Sequence, residues 1–111
     1  MLTVYTSRLS YGGPDRFDIT RKNATMESAP FAPYWALVRG AKTGEIPWDR
    51  YVDHYTQQMR VSYKDHRKKW DALLSRDVVT LVCFCVDPNR CHRTVLAGIL
   101  GKLGARVGGE R

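Results

Sequence analysis

Apolar and polar residues alternate in distinct rhythms along the chain, and each rhythm predicts an element. Leu2-Thr3-Val4-Tyr5-Thr6 is rich in β-branched and aromatic side chains and gives way to a polar, glycine-containing stretch over residues 7–14, which predicts a first strand and a loop. Phe17-Asp18-Ile19-Thr20 is a second short strand-like run, after which Arg21-Lys22-Asn23 turns polar. Pro30 and Pro33 set up a helix over about residues 33–42, with Gly40 placed to help end it. From Pro47 onward, Trp48, Val52, Tyr55, Met59, Ser62, His66, Trp70 and Leu73 recur at spacings of three and four, the period of an amphipathic helix. No glycine or proline follows until Pro88, so one long helix or two stacked ones reach to about residue 75, with residues 60–62 as the place for a break. Residues 78–85 are a continuous apolar run, the pattern of a strand buried on both faces of a parallel sheet. After a turn over residues 86–90, a helix starts near Cys91 and carries Leu96, Ile99, Leu100 and Leu103 to Gly104, and the tail has room for one short strand before Gly108-Gly109. Strands alternating with helices predict a single α/β domain over residues 1–111, three-layered, with a mostly parallel, Rossmann-like sheet and a long helical middle segment.

Composition narrows the classes. A chain of 111 residues has room for one core, and 43% hydrophobic with 26% charged residues is an ordinary globular balance. No run approaches the roughly 18 apolar residues of a membrane span, and the N-terminus lacks the features of a secretory leader, so a cytoplasmic protein without a membrane partner is expected. Eighteen Lys and Arg against eleven Asp and Glu give a net charge of +7, which favours an anionic, nucleotide-like small molecule as partner, with nucleic acid a second candidate. Three cysteines confined to residues 83–91 make a poor disulfide framework and suggest a site with reduced thiols.

The leading candidate site is where the buried strand ends at Cys85 beside the helix that opens with Cys91-His92-Arg93, because open α/β sheets bind ligands at the carboxyl ends of their strands. A helix N-terminus offers free N–H groups to a phosphate, Arg90 or Arg93 adds a planar fork, and the same field favours a Cys91 thiolate. Against this, Cys83 in an apolar run reads as packing, and His92 as a hydrogen bond to the turn. Cys83, Cys85, Cys91 and His92 could together be zinc ligands, but Cys-x-Cys on a strand is not a zinc knuckle and neighbours on a helix point about 100° apart, so zinc is not expected and no cofactor is identified. Cys85 to Arg90 also has the Cys-x4-Arg spacing of a sulfurtransferase loop, with Pro88 removing one of the N–H groups it would need. Tyr5, Thr6 and Tyr11 flank the end of the first strand and are candidate pocket residues, as are Thr20 and Lys22 after the second. Arg60, Lys64, Arg67 and Lys68 share one face of the long helix, a solvated stripe or a phosphate-backbone contact. Trp48, Tyr51, Tyr55, Tyr63 and Trp70 could stack bases, but their helical spacing favours core packing.

Val79-Thr80-Leu81-Val82-Cys83-Phe84-Cys85 with Cys91-His92-Arg93-Thr94-Val95-Leu96-Ala97 closely resembles the family called domain of unknown function 488. Asp18-Ile19-Thr20, Phe31-Ala32-Pro33, Trp35-Ala36-Leu37, the stretch 51–55, Trp70 to Leu74 and Gly109-Glu110-Arg111 extend the resemblance over almost the whole chain. The resemblance implies a compact α/β fold and a ligand pocket where Asp18, Thr20, Cys91, His92 and Arg93 converge; it supplies no reaction. The expectation is a nucleotide- or nucleic-acid-related protein acting on a phosphorylated nucleoside or modified base, with Asp18 as general base, Cys91 and His92 as further catalytic candidates, and Arg93 holding the phosphate. A non-catalytic binder of the same ligand and a thiol-dependent enzyme using Cys91 or Cys85 are the alternatives.

Overall fold

The computed structural model describes residues 1–85 and 87–111; Val86, in the expected turn, lies outside the described residues. The chain is α/β, a single small domain with parallel strands. Strands β1 (Thr3–Arg8) and β2 (Arg16–Asp18) come first, then a 3-10 turn at Ala29–Phe31 and helices α1 (Trp35–Thr43), α2 (Trp48–Asp65) and α3 (Arg67–Leu74). Strand β3 (Val78–Cys83), a 3-10 turn at Pro88–Arg90, helix α4 (His92–Lys102) and strand β4 (Arg106–Glu110) complete the order. The sheet runs β2-β3-β1-β4, with all three pairings parallel.

The buried apolar run of β3 earns its central place: Val79, Leu81, Val82 and Cys83 are inaccessible, as a strand with neighbours on both edges requires. Residues of one sheet face, Leu2, Val4, Phe17, Ile19, Val79, Leu81 and Cys83, join Leu37, Tyr55, Met59, Trp70, Leu73, Leu96 and Leu100 from the helices in one core. Of the three layers expected, the one on the opposite face is supplied by loop rather than helix. There Asp15 accepts from the Thr80 hydroxyl at 2.6 Å and from the Tyr11 hydroxyl at 2.6 Å, and the Arg111 guanidinium lies 3.8 Å from the Tyr5 ring centroid.

Several boundaries differ from expectation for identifiable reasons. The long helix breaks at His66, not at residues 60–62. Ser62 and Trp70 would stand about 12 Å apart along an unbroken helix. With the break, the Trp70 indole donates to Ser62 Oγ at 3.0 Å and its ring enters the core. Helix α1 runs past Gly40 and ends at Gly44, whose φ of +80° is the left-handed cap that glycine adopts without steric cost. Strand β3 stops at Cys83 rather than at residue 85. Strand β4 includes Gly108 and Gly109: its register slips between Val4 and Tyr5, and the Tyr5 ring occupies the space a side chain at Gly108 would need.

Candidate functional site

Four residues of α2 and its neighbourhood shape the ground beside the β3–α4 junction. Tyr55 donates to the Phe31 carbonyl at 2.7 Å, Gln58 donates to the Ala32 carbonyl at 2.8 Å and accepts from the Tyr34 N–H at 3.1 Å, and Ser62 donates to the Pro30 carbonyl at 2.7 Å. These bonds fasten residues 30–34, where prolines leave carbonyls without helical partners. Arg21 completes the frame, its guanidinium donating to the carbonyls of Pro33 and Ala32 at 3.0 and 2.7 Å.

The frame holds open a cavity of about 570 Å³ at the carboxyl end of β3, a size suited to a small-molecule ligand. Trp35, Trp48, Tyr51 and Phe84 form aromatic walls, Trp48 stacking on Tyr51 with centroids 5.1 Å apart. Trp35 and Phe84 are 48% and 57% exposed, so both rings are open to solvent. Lys22, Lys42 and Arg90 contribute cationic side chains, and no carboxylate is among the described lining residues. Thr20, Cys85, Cys91 and His92 complete the wall nearest the sheet.

His92 is buried and fixed: its Nε2 donates to the Ile19 carbonyl at 2.9 Å, leaving Nδ1 as the acceptor 3.9 Å from Cys91 Sγ. Burial pushes its pKa down to about 4, against the raising effect of the Ile19 bond, so the ring is neutral at pH 7. Burial pushes the Cys85 thiol up despite nearby Arg93, which makes it a weak nucleophile at neutral pH. Cys91 caps α4 in an extended conformation (φ −144°, ψ 141°), and its sulfur is joined to that of Cys83 as a disulfide across a Cα–Cα separation of 7.8 Å, so of the three cysteines expected to be reduced Cys85 alone is a free thiol.

The expected site is therefore divided. Thr20, Lys22, Cys85, Arg90, Cys91 and His92 meet at the cavity. Arg93 does not: its guanidinium is fully buried, forked onto Glu110 through Nη2 at 2.7 Å and Nε at 3.2 Å, with Nη1 donating to the Cys85 carbonyl at 2.7 Å. Its placement as an anion ligand is corrected to that of an internal brace, because every donor face already has a partner. Asp18 is likewise drawn away from base catalysis. Its Oδ1 accepts from the Thr20 N–H and hydroxyl at 2.9 and 2.6 Å, its Oδ2 lies 3.4 Å from Arg16, and it borders a different hollow with Asn23 and Arg76. Tyr5, Thr6 and Tyr11 gather around Glu110 and Arg111 near β4, away from the cavity: Thr6 donates to Glu110, and Arg111 donates to the Tyr11 hydroxyl at 2.6 Å.

The basic stripe does not share one helical face. Arg60 and Lys64 lie on α2, Arg67 and Lys68 on α3 beyond the break, all exposed, and Arg67 is engaged with Asp71 at 3.1 Å and lies over the Tyr63 ring. The cavity's aromatic walls are what pattern reading undervalued. Trp48 and Tyr51 carry the three-residue spacing of a core stripe, yet they stand in the first turn of α2, where the helix end opens onto the cavity.

A family model described as "DUF488-N3a: Active DUF488-N3 subclade" matches residues 6–104. Neither the curated proteins nor the solved structures yield a match.

Proposed function

Because the chain belongs to the DUF488-N3a family, we propose that it binds a planar, phosphate-bearing ligand of the nucleotide class in the cavity at the carboxyl end of β3. The observation that carries this is the pairing of aromatic walls, Trp35, Trp48, Tyr51 and Phe84, with the cations Lys22, Lys42 and Arg90 and no carboxylate among the described lining residues. A base has a π face for the aromatic walls, and a phosphate has the charge for the rim. The word "active" in the family description favours turnover of that ligand over sequestration.

The test is calorimetric titration of the chain with nucleoside monophosphates, free nucleosides and inorganic phosphate, with analysis of the recovered ligand for products. Nucleoside monophosphates bind more tightly than either fragment, and Trp48→Ala weakens them by about 5- to 160-fold, the range of one lost base–aromatic stack. Equal, weak binding of nucleotide and inorganic phosphate, with Trp48→Ala without effect, would refute the assignment.

A further inference from the structure

Three cysteine sulfurs and an imidazole, from the end of β3 and the start of α4, meet at the cavity wall. Cys83 is the last residue of β3, Cys85 follows it, Cys91 caps α4 and His92 is the first residue of that helix. Their donor atoms all lie within 4.8 Å of one another; Cys83, Cys91 and His92 are buried and Cys85 is partly so.

Packing alone would bring cysteines together without orienting the histidine. Here the Ile19 carbonyl can only accept, so His92 Nε2 carries the hydrogen and Nδ1 presents its lone pair toward Cys91 Sγ, 3.9 Å away. An imidazole whose far nitrogen donates to a carbonyl while its near nitrogen is free is how metal-binding histidines are held. Arg93 Nη1 donates to Cys83 Sγ at 3.2 Å, an interaction that stabilises sulfur as thiolate. Three thiolates around a divalent cation leave one excess negative charge, and both this guanidinium and the positive end of α4 adjoin it.

One objection to a metal at this spacing, the divergence of neighbouring side chains on a helix, falls away. Cys91 is extended, so it and His92 are not successive residues of one helix with diverging side chains. The structure joins Cys83 and Cys91 as a disulfide, the competing use of the two thiols, across a Cα separation of 7.8 Å that is wider than the usual disulfide range of about 4.4–6.8 Å. A tetrahedral ion with sulfur bonds of about 2.3 Å seats its sulfurs about 3.8 Å apart, which this wider backbone spacing accommodates.

We propose that Cys83, Cys85, Cys91 and Nδ1 of His92 form a closed, four-coordinate site for a soft divalent cation of the zinc class, pinning the end of β3 to the start of α4. The donor set selects such an ion over magnesium or calcium, and each thiol gives up its proton to solvent as the metal enters. Cys85, Cys91 and His92 also line the cavity, but the metal site does not require a nucleotide to be bound there.

The experiment purifies the full chain under reductant without added metal, measures zinc by elemental analysis and counts thiols before and after chelation. The stripped protein is then titrated with Zn²⁺ and Co²⁺. The expected result is about one zinc per chain, a lower melting temperature after chelation, and the visible ligand-field bands of tetrahedral thiolate-bound cobalt. Cys85→Ser, changed at the least buried ligand, and Cys91→Ser each lower metal affinity by at least about tenfold, while His54→Ala on the exposed side of α2 leaves it unchanged. Three titratable thiols with no affinity for either metal would overturn the proposal. So would a Cys83–Cys91 disulfide whose reduction restores no metal binding, or full affinity in both serine variants.

Discussion

Arg93 and Glu110 are joined by a two-pronged ion pair, Nη2 to Oε2 at 2.7 Å and Nε to Oε1 at 3.2 Å, which ties the first turn of α4 to the last strand. The arginine is wholly buried and the carboxylate side chain is about one-third exposed. Burial raises the Glu110 carboxyl, and the bonds from Arg93 and Thr6 outweigh it to hold it below its ordinary value. Removing the acid strands a buried guanidinium, whereas removing the base leaves a carboxylate that water can reach. Glu110→Ala is therefore expected to cost about 3 kcal/mol in urea denaturation. A loss below about 0.5 kcal/mol would show that the pair is not structural.

Ser62 is expected to matter more than an ordinary helix serine. Its hydroxyl donates to the Pro30 carbonyl at 2.7 Å and accepts from the Trp70 indole at 3.0 Å. Ser62→Ala leaves both partners without their bond, at about 1–3 kcal/mol for each group that water cannot reach. The loss should appear in thermal unfolding, together with faster proteolysis around residues 30–34. Unchanged stability in Ser62→Ala would mean that water replaces the hydroxyl.

The loop-covered face of the sheet predicts an acid sensitivity. Burial alone would raise the Asp15 carboxyl, but the Thr80 and Tyr11 hydroxyls and neighbouring Arg111 hold it below the ordinary aspartate value. A carboxyl with a lower pKa folded than unfolded contributes stability that is complete above the unfolded value of about 3.9 and disappears as pH falls through the folded one. The stability difference between wild type and Asp15→Asn should therefore be constant above about pH 5 and shrink below about pH 4. A difference independent of pH from neutrality down to acid unfolding would show that the Asp15 charge plays no part.

How far these features can be read from residues alone differs by kind. The apolar run of β3, the turn with Pro88 and the helix opening at Cys91 are local patterns, and each forms within two residues of where its pattern lies. The break at His66 is not local, because it depends on Trp70 reaching back to Ser62. Arg93 shows the same limit at the site: a guanidinium in the first turn of a helix has the chemistry of an anion ligand, and only the approach of Glu110 on β4 makes it a brace. Periodicity likewise marks Trp48 and Tyr51 as inward-facing without telling whether core or cavity lies inside.

The cavity cations and the surface stripe should separate cleanly by substitution. Lys22 and Arg90 line the cavity, whereas Arg60, Lys64 and Lys68 are exposed on α2 and α3 and do not border it. Exposed charges act on a distant ligand only through a field screened within about 8 Å at physiological salt. Lys22→Ala and Arg90→Ala are expected to weaken a nucleoside monophosphate several-fold each, while Arg60→Ala and Lys64→Ala leave it unchanged. For a single-stranded oligonucleotide the order reverses: the stripe substitutions lower affinity, and each lost phosphate contact reduces the slope of log affinity against log salt by about 0.7. Titrations of one monophosphate and one oligonucleotide at several salt concentrations decide it. If the stripe variants weaken the monophosphate as much as the cavity variants do, the charges act as a general field and the cavity loses its claim to be the anion site.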